Sequence, residues 1–145
     1  MPEDRFKNWQ PPKIVDGEMT KWHWVVKGVD SFRLGSRTDI GAFTYIHAVN
    51  GVTIEDNVQI GAGCRIYSVS TIDQKEGLVT IKKNAKIGAG TTILPGVTIG
   101  ENSIIGAHSL VKADVPDNSA AWGVPAKVMG VVQGGKIILE KKGSN

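Results

Sequence analysis

The chain has a single cysteine, Cys64, in 145 residues. That excludes an internal disulfide, so no covalent crosslink within the chain holds the fold. No apolar run approaches the length of a membrane span, and no early stretch has the apolar core of a secretory signal. A cytoplasmic protein without a membrane span is expected. Only three histidines occur, His23, His47 and His108, and no two stand at metal-ligand spacing. A catalytic zinc centre needs about three convergent protein ligands, so no metal is expected. Charge is not concentrated either. The net charge of +3 is spread along the chain. Nucleic-acid binders gather their cations on one face, and this pattern argues against that class.

What the chain has is a six-residue beat. Twelve aliphatic positions carry it: Leu34, Ile40, Ile46, Ile54, Ile60, Ile66, Ile81, Ile87, Ile93, Ile99, Ile105 and Val111. The phase slips by two residues after Ile46 and by nine after Ile66, and otherwise holds. Six is neither the 3.6-residue period of a helix nor the simple alternation of one long strand. It is the length of a short strand plus a corner. A fixed internal period determines architecture before local propensity does.

Two further columns agree with the first. Four residues after each beat the side chain is small, as at Thr38, Thr44, Asn50, Cys64, Ser70, Thr91, Ser109 and Val115. An even offset puts it on the face of the beat residue if the segment is extended. Large aliphatics alternating with small residues suit a narrow interior filled without overpacking. Three residues after the beat come Asn57, Gly63, Asn84, Gly90, Gly96 and Asn102. Asn and Gly tolerate positive φ, so this offset reads as the turn.

This repeat resembles that of the hexapeptide-repeat acyltransferases, over residues 34–115. The stretch DVPDNSAAWGVPAKV, residues 114–128, is similar to that family's closing motif, in which Gly-x-Pro-Ala-Lys follows the last coil. The resemblance implies an all-β fold, a left-handed parallel β-helix of about four triangular coils. Three hexads make one coil, and one beat residue points inward from each wall. It also implies a homotrimer that binds acetyl-CoA in the groove between two subunits, as in the galactoside and maltose acetyltransferases. The organisation expected is an N-terminal cap over residues 1–33, the β-helix over 34–115, and a closing segment with a tail over 116–145. Within the cap, KWHWVV alternates like a short strand; in the tail, KIIL either pairs with an edge or frays.

Both phase slips follow the third hexad of a coil. The two insertions therefore leave the prism at the same corner, one above the other. Loops on a regular scaffold are where function concentrates. The longer insertion, residues 68–80, falls where the sugar acetyltransferases of this type have their active-site loop. The resemblance places their catalytic histidine near Thr71, but residues 68–80 contain no histidine.

Acyl transfer needs a base for the acceptor's proton and donors for the developing oxyanion. His47 is the first candidate base. It heads the shorter insertion and is expected to stack one coil from Tyr67, with Asn50 placed to orient it or to donate to an oxyanion. The plain alternative is an outward polar residue or a subunit contact. His108 is the second candidate, acting across a subunit interface, but it stands in the turn column, where His is also favoured at positive φ. Tyr67, Thr71 and Asp73 are the candidate acceptor-binding residues, with Glu76 nearby. Charged loop residues are more often merely solvated. Cys64, in the small column, reads as a packed thiol rather than a nucleophile.

For the coenzyme, the resemblance carries over to Ala89 and Ala107 as the pantetheine wall and to Lys112 and Lys127 as phosphate partners. Trp122 and Pro125 fall at the adenine end, or simply close the last coil. The acceptor implied is a small molecule, a sugar or sugar nucleotide. Two other readings stand beside this one. A zinc hydrase on the same fold lacks the histidines. A non-enzymatic trimeric scaffold or ligand-binding protein is favoured by the missing loop histidine, because fold does not fix function.

Overall fold

The computed structural model describes residues 4–140. Residues 1–3 of the expected cap and 141–145 of the tail lie outside them. Apart from one 3-10 turn at Val29–Ser31, the regular structure among the described residues is all β. Short parallel strands build three walls. The first wall stacks Val25–Lys27, Tyr45–His47, Arg65–Tyr67, Thr92–Ile93 and Leu110–Val111. The second stacks Phe32–Leu34, Val52–Ile54, Val79–Ile81 and Thr98–Ile99. The third stacks Asp39–Ile40, Gln59–Ile60, Lys86–Ile87, Ile104–Ile105 and Ser119–Gly123. Two antiparallel strands, Ala126–Gln133 and Lys136–Leu139, extend the third wall past the last coil.

The register explains the beat. Val26, Ile46, Ile66, Ile93 and Val111 lie in line on the first wall. Leu34, Ile54, Ile81, Ile99 and Val115 do so on the second. Ile40, Ile60, Ile87, Ile105 and Ala121 do so on the third. The parallel β-helix therefore has five coils, not about four. Three rungs escaped the periodicity. Val26 stands eight residues before Leu34, Val115 four after Val111, and Ala121, six after Val115, is small and out of phase with the twelve.

All variation in length falls at one corner. Steps from the first wall to the second are eight, eight, fifteen, six and four residues, whereas every other corner takes six. Counting by four from the beat fails at this corner wherever the step differs from six. Asn50 and Ser70 are not interior; Val52 and Val79 fill the sites expected for them. Val115 belongs to the rungs rather than to the small column. Elsewhere the small column is inside, with Thr38, Thr44, Val58, Cys64, Ala85, Thr91, Val97, Ser103 and Ser109 buried.

The inward hydroxyls do not go unpaired. Thr44 Oγ1 donates to Gly61 O at 3.2 Å and Thr91 Oγ1 to Gly106 O at 3.2 Å. The stacked beat residues are almost wholly buried, Leu34 in the first coil excepted. Each such side chain contributes about 1.5–3 kcal/mol of apolar burial. The turn column behaves as its residues require, with Asn57, Asn84, Asn102 and His108 at φ of 61, 63, 62 and 57°.

The N-terminal segment covers the open first coil. Trp24 and Val26 are buried in the core, and Trp9 Nε1 donates to Thr38 O at 2.8 Å. Asp16 Oδ1 accepts the N–H groups of Val29 (2.9 Å) and Gly28 (2.6 Å) where the chain turns into the second wall. Those bonds, Val29's first, hold the Asp16 carboxyl below the usual carboxylate range. A depressed acid stabilises the fold above its unfolded-state pKa, and that contribution is lost as pH falls through the folded-state value. Asp16→Ala is accordingly expected to lower the melting temperature at neutral pH, with the deficit shrinking toward about pH 3. Thermal melts across that range check it; a deficit independent of pH would contradict the assignment.

Candidate functional site

His47 ends the strand Tyr45–His47 on the first wall. Alternation turns Ile46 inward and Tyr45 and His47 outward. In register, His47 lies between Lys27 of one coil and Tyr67 of the next. Its ring meets Tyr45 edge-on, with centroids 6.3 Å apart, and Tyr45 lies 6.0 Å from Tyr67. Burial raises the Tyr45 phenol above its ordinary range, and Tyr67 adds to this. Nδ1 of His47 is buried, and among the described residues it has no hydrogen-bond partner. An unsatisfied buried nitrogen costs about 1–3 kcal/mol.

The two insertions meet at this corner. The longer one is a hairpin of Val69–Ser70 and Lys75–Glu76. Leu78, at its return, lies against Gly51 of the shorter one. Ser68 ties them together and was missed from sequence. It is fully buried, and its hydroxyl donates to His47 O at 2.7 Å and accepts the Asn50 N–H at 3.0 Å. Its own N–H also donates to His47 O at 2.9 Å. The only signal for it was a serine directly after the strand bearing Tyr67. Asn50 is exposed and is linked to His47 through Ser68 rather than by a bond from its amide. Thr71 and Asp73 lie in the exposed tip of the hairpin. The Ser70 hydroxyl, then the Lys75 N–H, holds the Asp73 carboxyl below the usual range. His47, Asn50, Tyr67, Thr71 and Asp73 thus belong to one corner of the prism.

The opposite edge of the first wall is built differently. Gly41-Ala42, Gly61-Ala62, Gly88-Ala89 and Gly106-Ala107 stack as one column of turns. Backbone bonds join them: Gly63 N–H to Ala42 O, Gly90 N–H to Ala62 O, and His108 N–H to Ala89 O, at 2.8, 2.9 and 2.8 Å. Glycine is needed for this approach. A Cβ on Gly88 would lie 2.5 Å from the Ala107 nitrogen and 2.7 Å from its Cα. Gly88→Ala is expected to cost about 1–3 kcal/mol through overpacking against backbone. A chemical denaturation curve reads it, and an unchanged midpoint would show that the corner can spread.

This column shows nothing larger than a methyl, with Ala62, Ala89 and Ala107 exposed. Trp122 closes it at the C-terminal end, over Gly106. Lys127 stands opposite Trp122 in the antiparallel pair, and Pro125 lies in the turn between them. Lys112 does not join this group. It follows Leu110–Val111 at the other edge, the edge of His47. His108 lies over Gly90 in the turn column. Cys64 is buried, its thiol directed at Gly88 O at 3.3 Å, and burial pushes its pKa up.

The candidate base and most of the candidate coenzyme residues therefore occupy opposite edges of one wall. Beyond the turn at Ala42 and Phe43, the extended stretch from Thr44 to His47 separates the edges by ~10 Å. A cavity of about 1300 Å³ lies between the N-terminal segment and the start of the third wall and includes none of the candidate residues. Among the described residues, no three His, Cys, Asp or Glu side chains come together. No helix among them is long and apolar enough to cross a membrane.

Comparison with known proteins follows the coils. Residues 79–113 match the bacterial transferase hexapeptide (six repeats) family, and residues 33–68 match the hexapeptide repeat of succinyl-transferase. The galactoside O-acetyltransferase of Escherichia coli K12 is 42% identical over 87 residues, covering 54% of this chain and 43% of that protein. The chain spans less than half the length of the curated relatives it matches. Among solved structures, a hexapeptide-repeat acetyltransferase of Vibrio cholerae complexed with acetyl-CoA superimposes with a TM-score of 0.71 at 26% identity. That match covers 76% of this chain and 65% of the other. AntD, an N-acyltransferase from Bacillus cereus in complex with dTDP and 3-hydroxybutyryl-CoA, gives a TM-score of 0.64 at 26% identity, covering 77% and 65%.

Proposed function

We propose that this hexapeptide-repeat chain is an acyltransferase that moves an acetyl group from acetyl-CoA to a hydroxyl or amine of a sugar, sugar nucleotide or similar small acceptor. It works as a homotrimer. The observation that carries this reading is the division of one wall into two unlike edges. One edge presents an imidazole, a tyrosine and a polar hairpin; the other is a column of Gly-Ala turns open to a long thin ligand. A single chain holds these half-sites at opposite edges of the wall, ~10 Å apart. A closed ring of copies sets the His47 edge of one protomer against the Gly-Ala edge of its neighbour.

In that groove His47 takes the proton from the acceptor as it attacks the thioester carbonyl, and returns it to the departing thiolate. Its buried Nδ1, without a partner among the described residues, gains one from the acceptor. Ser68 fixes the backbone of His47 and Asn50, so the Asn50 amide is positioned to donate to the developing oxyanion. Tyr67, Thr71 and Asp73 receive the acceptor. Ala89 and Ala107 admit the pantetheine arm against the backbone, Trp122 and Pro125 line the far end, and Lys112 and Lys127 meet phosphates as point charges. A coenzyme of the cell interior as donor makes the cytoplasm the proposed location. The Escherichia coli relative is named for galactosides, and AntD was solved with dTDP, which favours sugars and nucleotide-linked sugars as acceptors.

Calorimetry with acetyl-CoA tests the donor side. Wild type is expected to bind with a Kd of about micromolar, a binding free energy of about −8 kcal/mol. Ala107→Tyr, which fills the wall, is expected not to bind. Absence of binding by wild type, with or without sugar-nucleotide acceptors, would leave the non-enzymatic scaffold as the better reading.

A further inference from the structure

The last strand, Lys136–Leu139, is the outer edge of the third wall. Among the described residues nothing pairs with its far side. All four of its residues are exposed, Ile137, Ile138 and Leu139 at 42, 48 and 64%. A free, flat, apolar edge is a template for another strand. The register decides which groups are free. Ile137 stands opposite Val132, and the Val132 N–H is used on the other side, donating to Asn118 O. Glu140 N–H donates inward, to Met129 O. In an antiparallel ladder such pairs alternate. The inward-bonding residues are thus Lys136, Ile138 and Glu140, and the N–H and C=O groups of Ile137 and Leu139 point outward.

That set is self-complementary. We propose that this edge joins a second copy of the chain, strand against strand and antiparallel, about a twofold axis through Ile138. In this register Ile137 faces Leu139 of the second copy, and Leu139 faces its Ile137. All four outward N–H groups and carbonyls on each pair of edges are then satisfied. Lys136 faces Glu140 of the other copy, twice by symmetry. Opposite charges directly across a strand pair stabilise it, and like charges destabilise it. A parallel pairing would set Lys136 beside Lys136, so the charges choose the antiparallel arrangement. The strand lies past the last coil, so the contact joins two assemblies by their C-terminal ends. It is independent of the proposed acyl-transfer site.

Sedimentation velocity tests it. Whatever ring the chain forms, wild type is expected to have double the copy number of Lys136→Glu, which sets like charges across the axis. Adding Glu140→Lys to Lys136→Glu restores the pairs and is expected to restore the larger species. Leu139→Pro removes one outward donor without touching an inward bond and is expected to give the smaller species too. Wild type already at the size of Lys136→Glu would overturn the proposal. So would a double variant that stays small while its melting curve matches wild type. Acetyl-CoA binding, measured on the same samples, is expected to be the same in all four proteins. Its absence would count against the acyl-transfer reading and leave the assembly result standing.

Discussion

Replacing His47 with alanine is expected to lower kcat/KM by about 10²–10⁴-fold, the usual contribution of a positioned general base. Assembly and acetyl-CoA binding should be unchanged, because among the described residues the His47 side chain makes no hydrogen bond and the Gly-Ala column that admits the coenzyme is built without it. The backbone it shares with Ser68 stays in place, since both of those bonds end on the His47 carbonyl. Removing an unsatisfied buried nitrogen should, if anything, raise the melting temperature slightly. This opposition of stability and activity is the signature of a functional site. Steady-state kinetics with one confirmed acceptor reads the effect. An unchanged kcat/KM would move the base elsewhere, and His108, beside the coenzyme wall, would be examined next.

The second large effect concerns the ladder. Ile93 is fully buried between Ile66 and Val111, on the fourth of the five strands of the first wall. Ile93→Asp places a carboxylate in a column of aliphatics with no cation in reach of the interior. An uncompensated buried charge costs several kcal/mol after relaxation. The whole stability of a domain this size is about 5–15 kcal/mol. The variant is expected to be insoluble or unfolded by circular dichroism. Its neighbour Thr92 faces outward, and Thr92→Asp is expected to melt close to wild type. Two adjacent substitutions with opposite outcomes fix the register by experiment. A soluble, cooperatively melting Ile93→Asp protein would contradict it.

Much of this architecture was legible because the interior is narrow. Each wall turns a large beat residue inward at nearly every strand, so the twelve beats from Leu34 to Val111 print the coil directly on the sequence. The stacking of both insertions at one corner followed from the same count. The reading stopped where the count stopped. Val26 and Val115 lie beyond corners of eight and four residues, and Ala121 is too small to register as a beat. The misplaced Asn50 and Ser70 fail for the same reason: the chain leaves the prism between beats and returns through Val52 and Val79.

The candidate site was less legible than the coils. His47 facing Tyr67 follows from register and was readable. Ser68, which clasps both His47 and Asn50, was not, because a buried serine after a strand looks like any small interior residue. Nor could the distribution of the lysines be read. Lys112 and Lys127 are 15 residues apart in sequence, but Lys112 follows the last strand of the first wall at the edge of His47, whereas Lys127 lies on the extension of the third wall opposite Trp122. Spacing along the chain does not say which edge meets a neighbour. That depends on how copies pack, a property of the surface.

The claim that matters most is that the site is shared between copies. It is tested by mixing two inactive variants, His47→Ala and Ala89→Tyr, one lacking the base and one with a blocked coenzyme wall. Each alone is expected to be inactive. Unfolded together in equal amounts and refolded, random trimers pair an intact His47 edge with an intact Gly-Ala edge at about one interface in four, so about a quarter of wild-type activity should return. Mixed trimers that form, as shown by mass spectrometry, yet recover no activity would contradict the account.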